Sequence, residues 1–277
     1  MKISEHLAET VKVEKENGIT WVILNRPEKR NAMSPQLHFE MVDVLAELES
    51  DEETRVLVLT GAGDAWCAGQ DLQKFFRELD DNPSKQNRAE WASHEWRWRR
   101  LVSFPKPTIA MVNGYCFGGG FTQLVACDIA IAAEDAVFGL SEINFGTFPG
   151  GLVSRVIVDA MIYRKAMYYS LTGDTFDGKQ AEAMGLVTYA VPRDRLREET
   201  VKLAEKLIAK NPQALQAAKE VLNTCRRMGH TEAEEYIRAK SIALRATDPA
   251  GGRNKGIQQF VDEKKYRPGL ESYDYKE

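Results

Sequence analysis

The sequence predicts an α/β fold followed by a helical C-terminal region, and three observations carry that reading. Apolar strand-like runs alternate with helical patterns through the first two thirds of the chain, as a sheet covered by helices requires. Two of these strands run directly into glycine-rich turns that open helical segments. From about residue 194 onward the pattern changes to helices alone.

Thr10–Lys15 and Thr20–Asn25 read as a hairpin around Asn17-Gly18, a dipeptide that accepts the positive φ of a tight hairpin turn. Gln36–Glu49 has helical spacing, with Leu37, Met41, Val44, Leu45 and Leu48 on one face. A buried strand is expected near 55–60, a helical region over 70–103, a strand over 107–112, a helix from 119 and a strand over 128–133. The C-terminal helices are expected at Asp194–Lys210, Pro212–Met228, Thr231–Arg245 and Gly252–Asp262. The chain therefore divides into an α/β core, residues 1–200, and a helical region, residues 201–277. Helices of this kind need a partner for their apolar stripes.

The most informative stretch is Asn113-Gly114-Tyr115-Cys116-Phe117-Gly118-Gly119-Gly120-Phe121, between the strand Pro107–Val112 and a helix start. Free N–H groups at such a junction, at the positive end of a helix, suit either a phosphate or an oxyanion formed during a reaction. Neither G-x-G-x-x-G nor a Gly-Lys-Ser/Thr sequence is present, so the phosphate motifs are unmet, and tight packing is the plain alternative. A second glycine element, Ala68-Gly69-Gln70-Asp71-Leu72, follows the strand Arg55–Thr60. One N–H from each element can then converge on a single oxygen.

With 277 residues, 28% charged residues and a net charge of −4, the chain has neither the basic surface of a general nucleic-acid binder nor a long apolar run for a membrane. Met1–His6 lacks a hydrophobic signal core, which predicts a cytoplasmic protein. Cys67, Cys116, Cys127 and Cys225 form no C-x-x-C pair, and are expected as small packed residues. His6, His38, His94 and His230 lack metal-ligand spacing, so no metal site is expected and surface or structural roles are assigned to them.

These residues together resemble the crotonase, or enoyl-CoA hydratase, superfamily. Leu24–Ala32 is similar to its first signature, Ala68–Leu72 to its second, and Pro107–Gly120 with Cys127–Ala132 to its third. Phe138–Ile143 with Phe148–Gly151 resembles the fourth, and Leu171-Thr172-Gly173 with Ala181–Val187 completes the set. Within the superfamily, Ile23–Pro35, Val56–Trp66, Lys106–Gly114, Gly139–Asn144 and the tail Arg267-Pro268-Gly269-Leu270 most resemble the hydroxycinnamoyl-CoA (feruloyl-CoA) hydratase-lyases. The resemblance implies a crotonase-type spiral of ββα units with a C-terminal helical trimerisation region. It also implies a homotrimer or a dimer of trimers, and an acyl-CoA substrate with no cofactor beyond its CoA moiety.

The implied chemistry is addition of water to an aryl-propenoyl-CoA, then retro-aldol cleavage to an aromatic aldehyde and acetyl-CoA. The resemblance assigns the oxyanion donors to the backbone N–H groups of Gln70 and Gly119, leaving the Gln70 side chain as pocket wall, and the acid/base to Glu142. Simple hydratases carry a second glutamate where this chain has Thr122, which keeps a hydroxyl for water or substrate, or else satisfies the helix start. Two tyrosines that hold a para-hydroxyl in the lyases correspond here to Phe75 and Arg238. With Phe145 and Tyr115 these make the expected substrate contacts, and Thr147 and Phe148 extend the pocket wall. Lys29 and Arg30 suit the CoA phosphates, while Ala32, Ala68 and Leu72 line the slot. Trp91, Trp96 and Trp98 are expected as one cluster on a helix covering the pocket, or as packing. Hydration without cleavage, isomerase or thioesterase chemistry, and an RNA-binding or scaffold homologue are the alternatives.

Overall fold

Asn17 and Gly18 both take left-handed backbone (φ 50 and 82), turning Val11–Glu16 (β1) back into Ile19–Leu24 (β2) as an antiparallel pair. The computed structural model that shows this describes residues 8–249, 251–267, 269 and 271–275. His6, Pro268 and Leu270 lie outside the described residues.

Each of the next three units gives a longer strand to one sheet and a three-residue strand to another. They are Val56–Gly61 (β3) with Ala65–Cys67 (β4), Thr108–Val112 (β5) with Tyr115–Phe117 (β6), and Ile129–Ala133 (β7) with Val137–Gly139 (β8). Helical segments follow each pair, which is the expected ββα spiral. Thr175–Asp177 (β9) and Tyr189–Val191 (β10) complete the sheets, in the orders β1-β2-β3-β5-β7-β10 and β4-β6-β8-β9. Every residue of β3 and β5 is buried, because parallel strands covered on both faces must be apolar throughout.

The helix Pro35–Ser50 starts on Ser34, whose hydroxyl accepts from the Leu37 N–H, with proline as the first helical residue. It buries the five predicted apolar residues, and His38 and Val42 with them. The stretch expected as helical over 70–103 is a π-helical turn Leu72–Arg77, the helix Pro83–His94, a second π-helical turn Glu95–Arg100 and a short end Leu101–Ser103.

The boundary expected at 200/201 falls inside the helix Leu196–Ile208, whose Leu196, Thr200 and Ala204 are buried against β3, β5 and β7. The next two helices, Pro212–Cys225 and His230–Thr247, contain no buried residue. Leu222 and Ile242 are 72% and 56% exposed. Lys219 seats the first of them on the core, pairing with Asp128 at 2.8 Å and donating to the Leu101 and Lys106 carbonyls. Among the described residues no helix is long and apolar enough to cross a membrane.

Candidate active site

Both glycine elements sit beside short strands of the smaller sheet, and this brings them together. Gly69 has a left-handed backbone (φ +89), and a Cβ there would stand 2.9 Å from the Phe117 carbonyl and 3.3 Å from the Gly119 nitrogen. Only glycine permits that approach. The Gln70 and Gly119 N–H groups have no hydrogen-bond acceptor among the described residues. Two unpaired peptide donors at one place are an oxyanion hole in form.

Glu142 completes the arrangement. It lies in the 3-10 turn Ser141–Phe145, which Gly146 ends with a left-handed backbone (φ 76). A Cβ on Gly118 would be 3.0 Å from Glu142 Oε1, so the carboxyl group lies against the loop that carries the Gly119 donor. Burial raises the Glu142 carboxyl above the usual carboxylate range, with backbone hydrogen bonding opposing it. Glu142 Oε2 and the Thr122 hydroxyl are both buried without a partner among the described residues. Buried polar atoms are otherwise almost always paired, so these two are suited to a bound molecule. Gln123 Oε1, one residue along, is likewise unpaired, although its amide donates to Cys67.

The strand-like pairing between the first two signatures fixes the Gln70 side. Met33 N donates to the Gly69 carbonyl and Asp71 N to the Met33 carbonyl, at 2.8 and 2.9 Å, leaving the Gln70 N–H turned away. A buried ion pair between Arg26 and Asp71 at 2.9 Å locks this register. Burial pushes the Asp71 carboxyl up, but the Lys74 N–H, Arg26 and the Gln73 N–H together hold it below the ordinary value. Asn31, also left-handed, accepts from Arg26 N and donates to the Ala62 and Ala65 carbonyls.

The Gln70 side chain is more than pocket wall. Trp96 Nε1 donates to His38 Nδ1 at 2.8 Å; since an indole can only donate, neutral His38 carries its proton on Nε2 and donates to Gln70 Oε1 at 2.8 Å. Gln70 Nε2 donates to the Ser93 hydroxyl. Arg97 donates to the same hydroxyl, to the Ser93 carbonyl and to the Gly119 carbonyl. Burial, with Arg97 nearby, holds His38 well below its ordinary range and keeps it neutral. Nothing local in the sequence marks Arg26, His38, Ser93 or Arg97; only the spiral joins them to the glycine elements.

The CoA-side candidates gather on the outer edge. Lys29 and Arg30 are exposed, and the Arg30 guanidinium sits 4.4 Å over the ring of Tyr115. Tyr115 is thus placed beside the basic residues. Ala68 N donates to the Arg30 carbonyl, which sets Ala68 next to the first signature, and Leu72 is exposed beyond it. Phe75 is buried, its ring edge-on to His38 at 5.3 Å. Phe145 and Phe148 are 68% and 69% exposed. Arg238 lies on the exposed face of His230–Thr247 and has no partner among the described residues. The tryptophans do not form one cluster: Trp96 is in the core, Trp98 packs on it, and Trp91 is exposed, because helical rotation sends the three to different sides. Among the described residues no group of three or more His, Cys, Asp or Glu is placed to hold a metal. All four cysteines are free, with Cys67, Cys116 and Cys127 buried.

A spiral of ββα units that brings two glycine elements together beside a carboxyl is the architecture of the enoyl-CoA hydratase/isomerase family. The chain belongs to that family: the family model so described matches residues 14–268. It is 53% identical over 265 residues to a hydroxycinnamoyl-CoA hydratase-lyase of Pseudomonas fluorescens, covering 95% of this chain and 96% of that one. Among solved structures it is similar to an enoyl-CoA hydratase of Bacillus anthracis, with a TM-score of 0.84 and 28% identity over 96% of this chain and 100% of that one. An enoyl-CoA hydratase of a Polaromonas species gives 0.83 and 27%, over 91% and 97%.

Proposed function

We propose that this protein is a hydratase-lyase for aryl-propenoyl-CoA thioesters of the hydroxycinnamoyl type. The observation that supports it best is the buried Glu142 carboxyl beside two unpaired N–H donors, with a hydroxyl at Thr122 in place of a second carboxylate. The relative at 53% identity, which bears that name, supports the substrate class.

In the first step Glu142 takes a proton from water as its oxygen bonds to Cβ. The electron pair moves into the thioester, and the enolate oxygen is held by the Gln70 and Gly119 N–H groups. Glu142 then returns the proton to Cα. In the second step Glu142 removes the β-hydroxyl proton, the Cα–Cβ bond breaks, and the aldehyde leaves. The pair enters the thioester again, and protonation of that enolate at Cα gives acetyl-CoA. A single base serves both steps because giving its proton to Cα makes it a carboxylate again after each.

Lys29 and Arg30, beside Tyr115, bind the CoA phosphates, and Ala32, Ala68 and Leu72 line the way to the hole. Phe145 and Phe148 cover the aryl group. Arg238 reaches a ring oxygen from a neighbouring subunit of a homotrimer, the assembly that covers the exposed apolar residues of the C-terminal helices. The test is product analysis with feruloyl-, 4-coumaroyl- and cinnamoyl-CoA. Aldehyde and acetyl-CoA in equal amounts are expected; accumulation of the 3-hydroxyacyl-CoA alone would reduce the protein to a hydratase.

A further inference from the structure

Two arginines are buried beside the site, and they differ in charge balance. Arg26 has Asp71. Among the described residues every hydrogen-bond partner of Arg97 is neutral: the Ser93 carbonyl at 3.0 Å, the Ser93 hydroxyl at 2.6 Å and the Gly119 carbonyl at 3.0 Å. An unneutralised cation in a protein interior is costly, and a fold that keeps one has a use for it. Burial lowers the guanidinium to about 10, opposed only by Cys67, so it stays charged at neutral pH.

Its place gives the use. Arg97 Nη1 lies 3.1 Å from where a Cβ on Gly119 would stand, and the same measure puts Gln70 Cγ at 3.5 Å. The guanidinium and the Gln70 side chain therefore both lie against Gly119. Through the Ser93 hydroxyl the guanidinium joins the Gln70 amide, and through Gln70 the His38 ring. One chain of hydrogen bonds thus runs from the Trp96 indole to the Gly119 carbonyl.

We propose that Arg97 is a positioning residue of the oxyanion hole, which orients the Gly119 peptide from behind and supplies the positive charge that an enolate in the hole would face. It touches no reacting atom; it acts through Gly119 and, by Ser93, through Gln70. The carbonyl it holds belongs to the Gly119–Gly120 peptide, so this bond fixes the conformation of Gly119 while the donor N–H lies in the preceding peptide, and a nearby full charge favours an anionic intermediate over a neutral substrate. The effect therefore falls on turnover more than on binding.

This inference rests on the thioester-enolate reading above, and the experiment separates the two. The bound chromophore of cinnamoyl-CoA reports polarisation of its carbonyl as a red shift. Exchange of the Cα protons of 3-phenylpropanoyl-CoA in deuterated water reports enolate formation without hydration or cleavage. No shift and no exchange with the unaltered protein would end the enolate reading itself. Given both signals there, Arg97→Gln keeps an N–H donor without the charge, and Arg97→Lys keeps the charge without the fork. We expect Arg97→Gln to lose the red shift and slow exchange by ~10²-fold, with the Kd for 3-phenylpropanoyl-CoA changed less than ~3-fold. Arg97→Lys should recover at least ~10-fold of that loss. Ser93→Ala, a small change that releases one arm of the fork, should slow exchange by ~3- to 10-fold and serves if Arg97→Gln does not fold. Exchange and red shift retained in Arg97→Gln, or both unaltered in Ser93→Ala, would overturn the proposal, as would loss of binding in step with loss of exchange.

Discussion

The back and the front of the site are built on opposite terms. Behind the two donors, Arg26, Asp71, His38, Gln70, Ser93 and Arg97 all have partners at 2.6–3.2 Å. In front, Thr122 Oγ1 and Glu142 Oε2 are buried with none among the described residues. The back spends interior polar groups on fixing geometry, while the front keeps unsatisfied groups that cost stability and, under the proposed function, serve chemistry. A substitution in the Arg26–Asp71 pair should therefore be read in stability, and one in front in turnover.

The largest expected effect tests the back. Arg26→Met leaves the Asp71 carboxylate buried without its cation, which typically costs ~3–5 kcal/mol. Denaturant unfolding should show a loss of that order, and a loss below ~1 kcal/mol would mean that the 68–71 segment is held by its backbone pairing alone.

Glu142→Gln tests the front. The amide keeps the shape but exchanges no proton, so turnover should fall by ~10²-fold or more with acyl-CoA binding largely kept. Stability should move the other way. The Glu142 carboxyl binds its proton more tightly in the folded protein, so its penalty is absent at low pH and appears as pH rises through the raised folded pKa. The melting temperature of Glu142→Gln should match the parent near pH 4 and exceed it at pH 7–8. A variant less stable at neutral pH would contradict the raised value.

Thr122→Glu puts a second carboxyl where the hydroxyl is. The ratio of 3-hydroxyacyl-CoA to aldehyde should rise in the folded, active variant; an unchanged ratio would place control of cleavage elsewhere, with the aryl pocket next in line. The smallest effect is expected farthest out. Arg238→Ala should raise the KM of feruloyl- and 4-coumaroyl-CoA, by ~1–3 kcal/mol in recognition, and spare cinnamoyl-CoA. Equal changes for all three would leave Arg238 on a solvated helix face.

What the sequence showed and what it hid follow from range. The hairpin at Asn17-Gly18, the helix Pro35–Ser50 and both glycine elements are written in local chemistry, and each was legible. The three-residue strands β4, β6 and β8 are too short to show any alternation, so the second sheet has no sequence signature of its own. The back of the site is similarly hidden, since His38 meets Gln70 across 32 residues and Arg97 meets Gly119 across 22. Glu142 and Gly119 were singled out only because the family signatures surround them. For His38 the sequence suggested a surface or structural role without revealing its hydrogen bond to Gln70.

The π-helical turn Glu95–Arg100 lies in the same helical run as Ser93 and contains both Trp96 and Arg97. A π turn holds one residue more than an α-helical turn, at some loss of hydrogen-bond quality. Removing one residue between Arg97 and Arg100 would let the backbone relax into a regular helix with the segments on either side kept in step, yet re-aim the side chains carried by the turn itself. The guanidinium and the indole would swing away from the Gly119 carbonyl and the imidazole while the rest of the helix packed better. The irregularity is thus an aiming device written in chain length, and a lineage that repaired it would gain a smoother helix and lose the aim of Trp96 and Arg97.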